Sequence, residues 1–156
     1  MEITKASTSC VTYENGTLSL SATSPINIAL IKYWGKVHES LIIPANSSLS
    51  ITIDQNDLCS KTLVELHSNQ ESPEIELILN GKQEKISERL VRILEIMRER
   101  TKGINVIDKT TGNQVEISKE QILKLKLRIT SVNNFATASG LASSSSGLSC
   151  LSFALA

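Results

Sequence analysis

The sequence lacks a net charge. Its 16 basic and 16 acidic residues cancel over 156 positions. That balance argues against a chain whose main task is to coat nucleic acid. It also lacks any apolar run long enough to span a membrane. The opening residues, MEITKASTSC, have no apolar signal-peptide core. The expected location is therefore the cytoplasm, and a membrane is not an expected partner. Cysteine and histidine are scarce. Cys10, Cys59 and Cys150 are odd in number and far apart, the pattern of reduced thiols rather than of a disulfide framework. His38 and His67 stand alone, and no cysteine has a partner at metal-ligand spacing, so no zinc site is expected. What remains is a globular composition, 40% hydrophobic and 21% charged, of a size for one domain.

The first half reads as strands. Leu18, Leu20 and Ala22 alternate with Thr17, Ser19, Ser21 and Thr23, the period of a half-buried strand. Residues 48–54 and 61–67 alternate again, and 26–34 (INIALIKYW) form an apolar run with one lysine inside. Residues 74–79 form a further strand that runs into Asn80-Gly81, a strong hairpin signal. A helix follows, with Ile86, Leu90, Ile93, Leu94 and Met97 at helical spacing. Ser87 is its expected cap, Glu88 and Arg92 an expected pair, and Gly103 its expected stop. Residues 109–113 predict an exposed turn between two short extended segments. Ser118 with Gln121 predicts a capping box, residues 124–132 a strand, and the chain from Leu148 a helix.

Charge disappears towards the end. No Asp, Glu, Lys or Arg occurs from Ile129 to Ala156, although Leu141, Leu148, Leu151 and Phe153 do. This segment should be buried or line a pocket. Inside it, ASGLASSSSG at 138–147 lies between a strand and a helix. That order suits a phosphate cradle, because helix-start N–H groups are unpaired and the dipole favours an anion there. The G-K-[ST] ending of a Walker loop is missing, and a small-residue turn before a core helix fits equally well. A cradle without its own lysine needs cations from elsewhere. Residues 25–36, PINIALIKYWGK, hold Lys32 and Lys36 around Gly35. These lysines either face a shared anion or snorkel from an edge strand. The small polar cluster PANSSLS at 44–50 reads as a turn, and Asn80-Gly81-Lys82 as a hairpin turn with a solvated lysine.

Three of these segments together resemble one family. NIALIKYWGK at 27–36, P-x-N-S-S-L-S at 44–50 and S-V-N-N-F-x-T-A-x-G-L-A-S-S at 131–144 are similar, in order, to the diphosphomevalonate decarboxylases of the GHMP kinase superfamily. The resemblance implies an α+β fold, the GHMP-kinase N-terminal domain (ribosomal protein S5 domain 2-like), with a mostly antiparallel sheet and helices packed on it. It implies a carboxy-lyase of isoprenoid biosynthesis that uses ATP and Mg2+ to phosphorylate the tertiary hydroxyl of 5-diphosphomevalonate. Loss of phosphate and carbon dioxide then gives isopentenyl diphosphate. It implies a homodimer. By resemblance Lys32 is the catalytic lysine, and Tyr33, Trp34, Gly35 and Lys36 grip the substrate diphosphate. Ser131 orients the nucleotide phosphates, and Ala138, Ser139, Gly140, Leu141, Ala142, Ser143, Ser144 and Ser145 form the ATP loop. No protein ligand for Mg2+ is identified.

The chain departs from the family at several points. Lys82 stands where the family has an arginine contact to substrate, which keeps the charge and loses the bidentate fork. Ala136 replaces a proline, which loosens the loop, and Ser139, Ser145 and Ser146 replace alanines. The family's essential aspartate and a later substrate loop have no counterpart, and Asp54, Asp57 and Asp108 do not stand in its motif. The expectation is that residues 1–156 are an incomplete N-terminal ATP and substrate domain without its C-terminal domain, inactive alone. Two other readings stay open. A superfamily kinase acting on a mevalonate derivative would make ADP without carbon dioxide. A non-catalytic binding module would bind ligand regardless of Lys32 and Lys36.

Overall fold

A computed structural model describes residues 10–68, 75–136 and 143–156. The order of elements is β1 (Cys10–Glu14), β2 (Thr17–Pro25), β3 (Asn27–Ile31), β4 (Lys36–His38), β5 (Ile43–Pro44), β6 (Leu49–Thr52), β7 (Cys59–His67), β8 (Ile75–Leu79), β9 (Lys82–Gln83), α1 (Glu88–Arg100), β10 (Ile104–Ile107), β11 (Gln114–Ile117), α2 (Lys119–Lys124), β12 (Lys126–Asn133) and α3 (Ser143–Leu155).

Six strands form the main sheet in the order β1-β2-β7-β12-β8-β9. Its pairs are antiparallel except β12 with β8, which is parallel. A parallel neighbour needs a long crossover, and residues 80–125 supply it, carrying α1 and the antiparallel β10–β11 ladder. The predicted alternations place the faces. Ala22, Val64, Leu127 and Ile129 point to one side and are buried with Leu90 and Leu94 of α1 and Cys150, Leu151 and Ala154 of α3. Burying each leucine or isoleucine contributes about 1.5–3 kcal/mol. The other face carries Lys126 and Arg128, the latter 3.1 Å from Glu76. The architecture is therefore a sheet with helices on one face.

Local signals work where a side chain closes a defined bond. Ser87 Oγ accepts from Leu90 N at 3.3 Å and starts α1. Ser118 and Gln121 form the capping box of α2. Asn80 and Gly81 have φ of 49° and 77°, the left-handed pair that a tight hairpin turn requires.

Five expectations need correction. Gly103 does not stop α1. The helix ends at Thr101, whose Oγ1 donates to Met97 O at 2.8 Å, and Gly103 instead permits a close approach to Ile117 O. Glu88 and Arg92 form no ion pair. A pair of this kind, exposed in water, is worth only a few tenths of a kcal/mol. The 26–34 run is a strand only to Ile31, and Ile28, Leu30 and Ile31 are about half exposed. Finally, α3 begins at Ser143 rather than at Leu148, because four successive serines enter its first turn. Phe153 in the charge-free segment is also exposed, whereas Ile129, Cys150, Leu151 and Ala154 are buried as expected.

Candidate active site

The strand register brings the candidate segments to one end of the main sheet. Pro25 at the end of β2 faces Cys59 at the start of β7. Ser60 faces Asn133 at the end of β12, and Ser131 faces Leu79 at the end of β8. The segment that carries Lys32 leaves the sheet after Pro25 and returns before Cys59. The turn that carries Lys82 follows Leu79. It is tied to β12, since Asn80 N donates to Ser131 O and Asn133 N donates to Asn80 Oδ1, both at 2.9 Å. The start of α3 reaches the same end, where Ser146 Oγ donates to Ser24 O at 2.8 Å.

Residues 27–52 form two small ladders, β3–β6 and β4–β5. Between them, residues 32–35 take no regular structure. Gly35 has φ of 84°, so the chain turns there at a position that strains any side chain. Asn46 holds this turn. Its Oδ1 accepts from Trp34 N at 2.9 Å, and its Nδ2 donates to Lys32 O at 3.3 Å and to Ser47 O at 2.8 Å. Ala45 N adds a bond to Gly35 O at 3.1 Å. The PANSSLS cluster is thus a clamp on the lysine segment as well as a turn.

Lys32, Tyr33, Trp34 and Lys36 are all exposed, Trp34 by 81%. The two lysines do not converge on one partner. Lys36 Nζ pairs with Glu39 Oε2 at 3.0 Å. An exposed pair of this kind is worth at most about 1 kcal/mol, so a multiply charged anion can displace the glutamate. Lys82 is exposed in β9.

Ser131 lies on the core side of β12, buried, with its Oγ 3.0 Å from Thr62 Oγ1. Ala138, Ser139, Gly140, Leu141 and Ala142 lie outside the described residues. Ser143, Ser144 and Ser145 form the first turn of α3, with no acidic or basic residue beside them. The first N–H groups of a helix of 13 residues and its positive dipole end suit a phosphate. Among the described residues no group of three His, Cys, Asp or Glu side chains could hold a metal ion.

Asn46, Asn133 and Asn134 received no role from the sequence. Asn134 Oδ1 accepts from Cys59 N at 2.8 Å, and its Nδ2 donates to Asp57 O at 2.9 Å. The available signal was the amide itself. It donates and accepts at once, as loop ends without ladder partners require.

A cavity of about 640 Å3 lies elsewhere, lined by Leu20, Leu66, Leu94, Met97 and the last residues of α3. No candidate residue borders it, so it is the uncovered edge of the core rather than the site.

A family model for the diphosphomevalonate decarboxylase-like N-terminal domain matches residues 24–156. The chain belongs to this family. It is similar to the diphosphomevalonate decarboxylase of Rattus norvegicus, 43% identical over 141 residues that cover 89% of this chain and 33% of the relative. Among solved structures it is similar to mevalonate diphosphate decarboxylase from Trypanosoma brucei, with 37% identity, 88% of this chain and 32% of that one covered, and a TM-score of 0.66. A structure of MDDEF in complex with MVAPP, AMPPCP and magnesium is similar at 32% identity and a TM-score of 0.59, over 89% of this chain and 37% of that one. The chain spans about a third of the length of the curated relatives it matches. The α+β, mostly antiparallel GHMP-kinase fold of the diphosphomevalonate decarboxylase family is the fold found here.

Proposed function

We propose that this chain is the N-terminal nucleotide- and substrate-binding part of a diphosphomevalonate decarboxylase. The reaction is the ATP- and Mg2+-dependent conversion of (R)-5-diphosphomevalonate to isopentenyl diphosphate, ADP, phosphate and carbon dioxide. The observation that supports it best is the convergence of the Lys32, Lys82 and α3 segments on one end of the sheet.

The chemistry needs positioning and charge stabilisation more than covalent help. The tertiary hydroxyl attacks the γ-phosphorus, forming an O–P bond as the bond to the bridging oxygen breaks and ADP leaves, and the hydroxyl proton passes to a base. The tertiary C–O bond of the phosphorylated intermediate then breaks towards phosphate while the carboxylate C–C bond breaks towards carbon dioxide. The pair from that bond closes the double bond. Lys32 stabilises charge at the reacting centre. Lys36, released from Glu39, and Lys82 take the substrate diphosphate, with Tyr33, Trp34 and Gly35 shaping its seat. Residues 138–145 serve the nucleotide phosphates, Ser131, buried against Thr62, supports them through β12, and bound Mg2+ would supply further neutralisation. The departing phosphate group balances the positive charge that builds at the tertiary carbon. A cytoplasmic homodimer belongs to the same reading. Among the described residues no helix is long and apolar enough to cross a membrane.

Two substitutions in the full-length polypeptide separate the lysine roles. Lys36→Ala raises KM for diphosphomevalonate with kcat largely kept, and Lys32→Ala lowers kcat. Negligible effects of both on both parameters would remove the assigned roles.

A further inference from the structure

The same end of the sheet hides a set of polar side chains. Ser60, Thr62, Ser131 and Ser146 are all buried. A buried hydroxyl left without a partner is destabilising, so each of these needs its bond accounted for. Thr62 and Ser131 satisfy one another across β7 and β12. The other contacts run from helix to sheet. Ser146 Oγ donates to Ser24 O at 2.8 Å and lies 2.9 Å from Ser60 Oγ. Ser60 Oγ is in turn 2.8 Å from Asn133 Oδ1. Two hydroxyl protons serve three contacts. All three close when the Asn133 amide presents Nδ2 to Ser60, Ser60 donates to Ser146, and Ser146 donates to Ser24.

This chain of bonds joins four elements near the proposed site, β2, β7, β12 and α3. Ser24 stands one residue before the departure of the Lys32 segment, Asn133 ends β12, and Ser146 lies in the first turn of α3. Further along, α3 is held by Cys150, Leu151 and Ala154 in the core. The apolar contacts of Leu151 and Ala154 are non-directional, and the directed contact there, the weak Cys150 Sγ bond to Ala22 O at 3.2 Å, lies one turn further along, so the first turn keeps some freedom to slide. Directed hydrogen bonds at the first turn remove that freedom.

We propose that the Ser146–Ser60–Asn133 bridge positions the first turn of α3 for nucleotide binding. The inference rests on the reading of this end of the sheet as an ATP site. Ser146 and Ser60 are positioning residues that act through the backbone of α3 and β12.

The test is calorimetric titration of the full-length polypeptide with Mg-ATP, together with KM, kcat and thermal midpoint. Ser146→Ala and Ser60→Ala each weaken Mg-ATP binding about tenfold and raise KM for ATP with kcat retained. The double variant is no weaker than about twice either single one, because both cut the same chain. Cys150→Ala removes the Sγ that lies 3.2 Å from Ala22 O one turn further on. It lowers the thermal midpoint and leaves nucleotide affinity unchanged. Ser146→Cys, which keeps a weak donor, recovers part of the lost affinity and serves if the alanine variant fails to fold. Unchanged Mg-ATP affinity in Ser146→Ala and Ser60→Ala, with midpoints lowered as in Cys150→Ala, would overturn the positioning role. Failure of the unsubstituted protein to bind Mg-ATP would overturn the ATP reading itself, before any variant is made.

Discussion

Replacing Asn46 by alanine isolates the clamp on the proposed substrate segment. The substitution removes three bonds, from Trp34 N, to Lys32 O and to Ser47 O. All are exposed, so water replaces them and no buried group is orphaned. Their net worth is at the low end of the usual range, about 0.5 kcal/mol each and about 1.5 kcal/mol together. Residues 33–35 then sample other conformations, and substrate must reorder them on binding. About 1.5 kcal/mol corresponds to slightly more than tenfold in affinity. The expected result for the full-length polypeptide is a KM for diphosphomevalonate about tenfold higher, with kcat and the thermal midpoint nearly unchanged. Asn46→Asp sharpens the test. It keeps an acceptor for Trp34 N but adds a negative charge beside a segment assigned to an anion, so its KM exceeds that of the alanine variant. An unchanged KM in both variants, or an Asp variant that binds better than the Ala variant, would refute the reasoning.

Three further predictions concern the scaffold. Ser118→Ala breaks the α2 capping box and lowers stability by about 1 kcal/mol in chemical denaturation. The Glu120 carboxyl, held low by its own backbone N–H and by Ser118, then titrates closer to its ordinary value by NMR. Gly103→Ala places a Cβ 3.1 Å from Ile117 O. The crowding of β11, about 1–3 kcal/mol, outweighs the gain of about 0.4–1 kcal/mol from a stiffer unfolded chain, so the melting temperature falls. Burial pushes the Cys150 thiol up, so the unfolded chain releases this proton first as pH rises. Stability is fully present below the thiol's ordinary range and declines above it, more steeply than in Cys150→Ala, as denaturation curves on the alkaline side will show.

Much of the scaffold was legible because its signals are local. The alternation of Leu18, Leu20 and Ala22, the Asn80-Gly81 turn and the Ser118–Gln121 box each depend on a few neighbouring residues. The family motifs were legible as well, and the register of β2, β7, β8 and β12 carries them to a common end. What was not legible depends on long-range partners. An apolar stretch such as 27–31 reads as a strand, but its pattern does not say which surface, if any, covers it. The serines of α3 read as loop, because their hydroxyls compete for backbone bonds in isolation. In the fold Ser146 is instead satisfied by Ser24 and Ser60 from distant parts of the chain. Asn46, Asn133 and Asn134 were visible inside motifs, yet their work as clamps needs the opposing backbone to be in place.

The central claim is tested most directly by carbon dioxide and ADP release from 5-diphosphomevalonate and Mg-ATP, using full-length polypeptide of confirmed mass. The account predicts equal amounts of both products, lost together in Lys32→Ala. ADP without carbon dioxide would make the protein a kinase of the superfamily, and release of neither product would contradict the proposed activity.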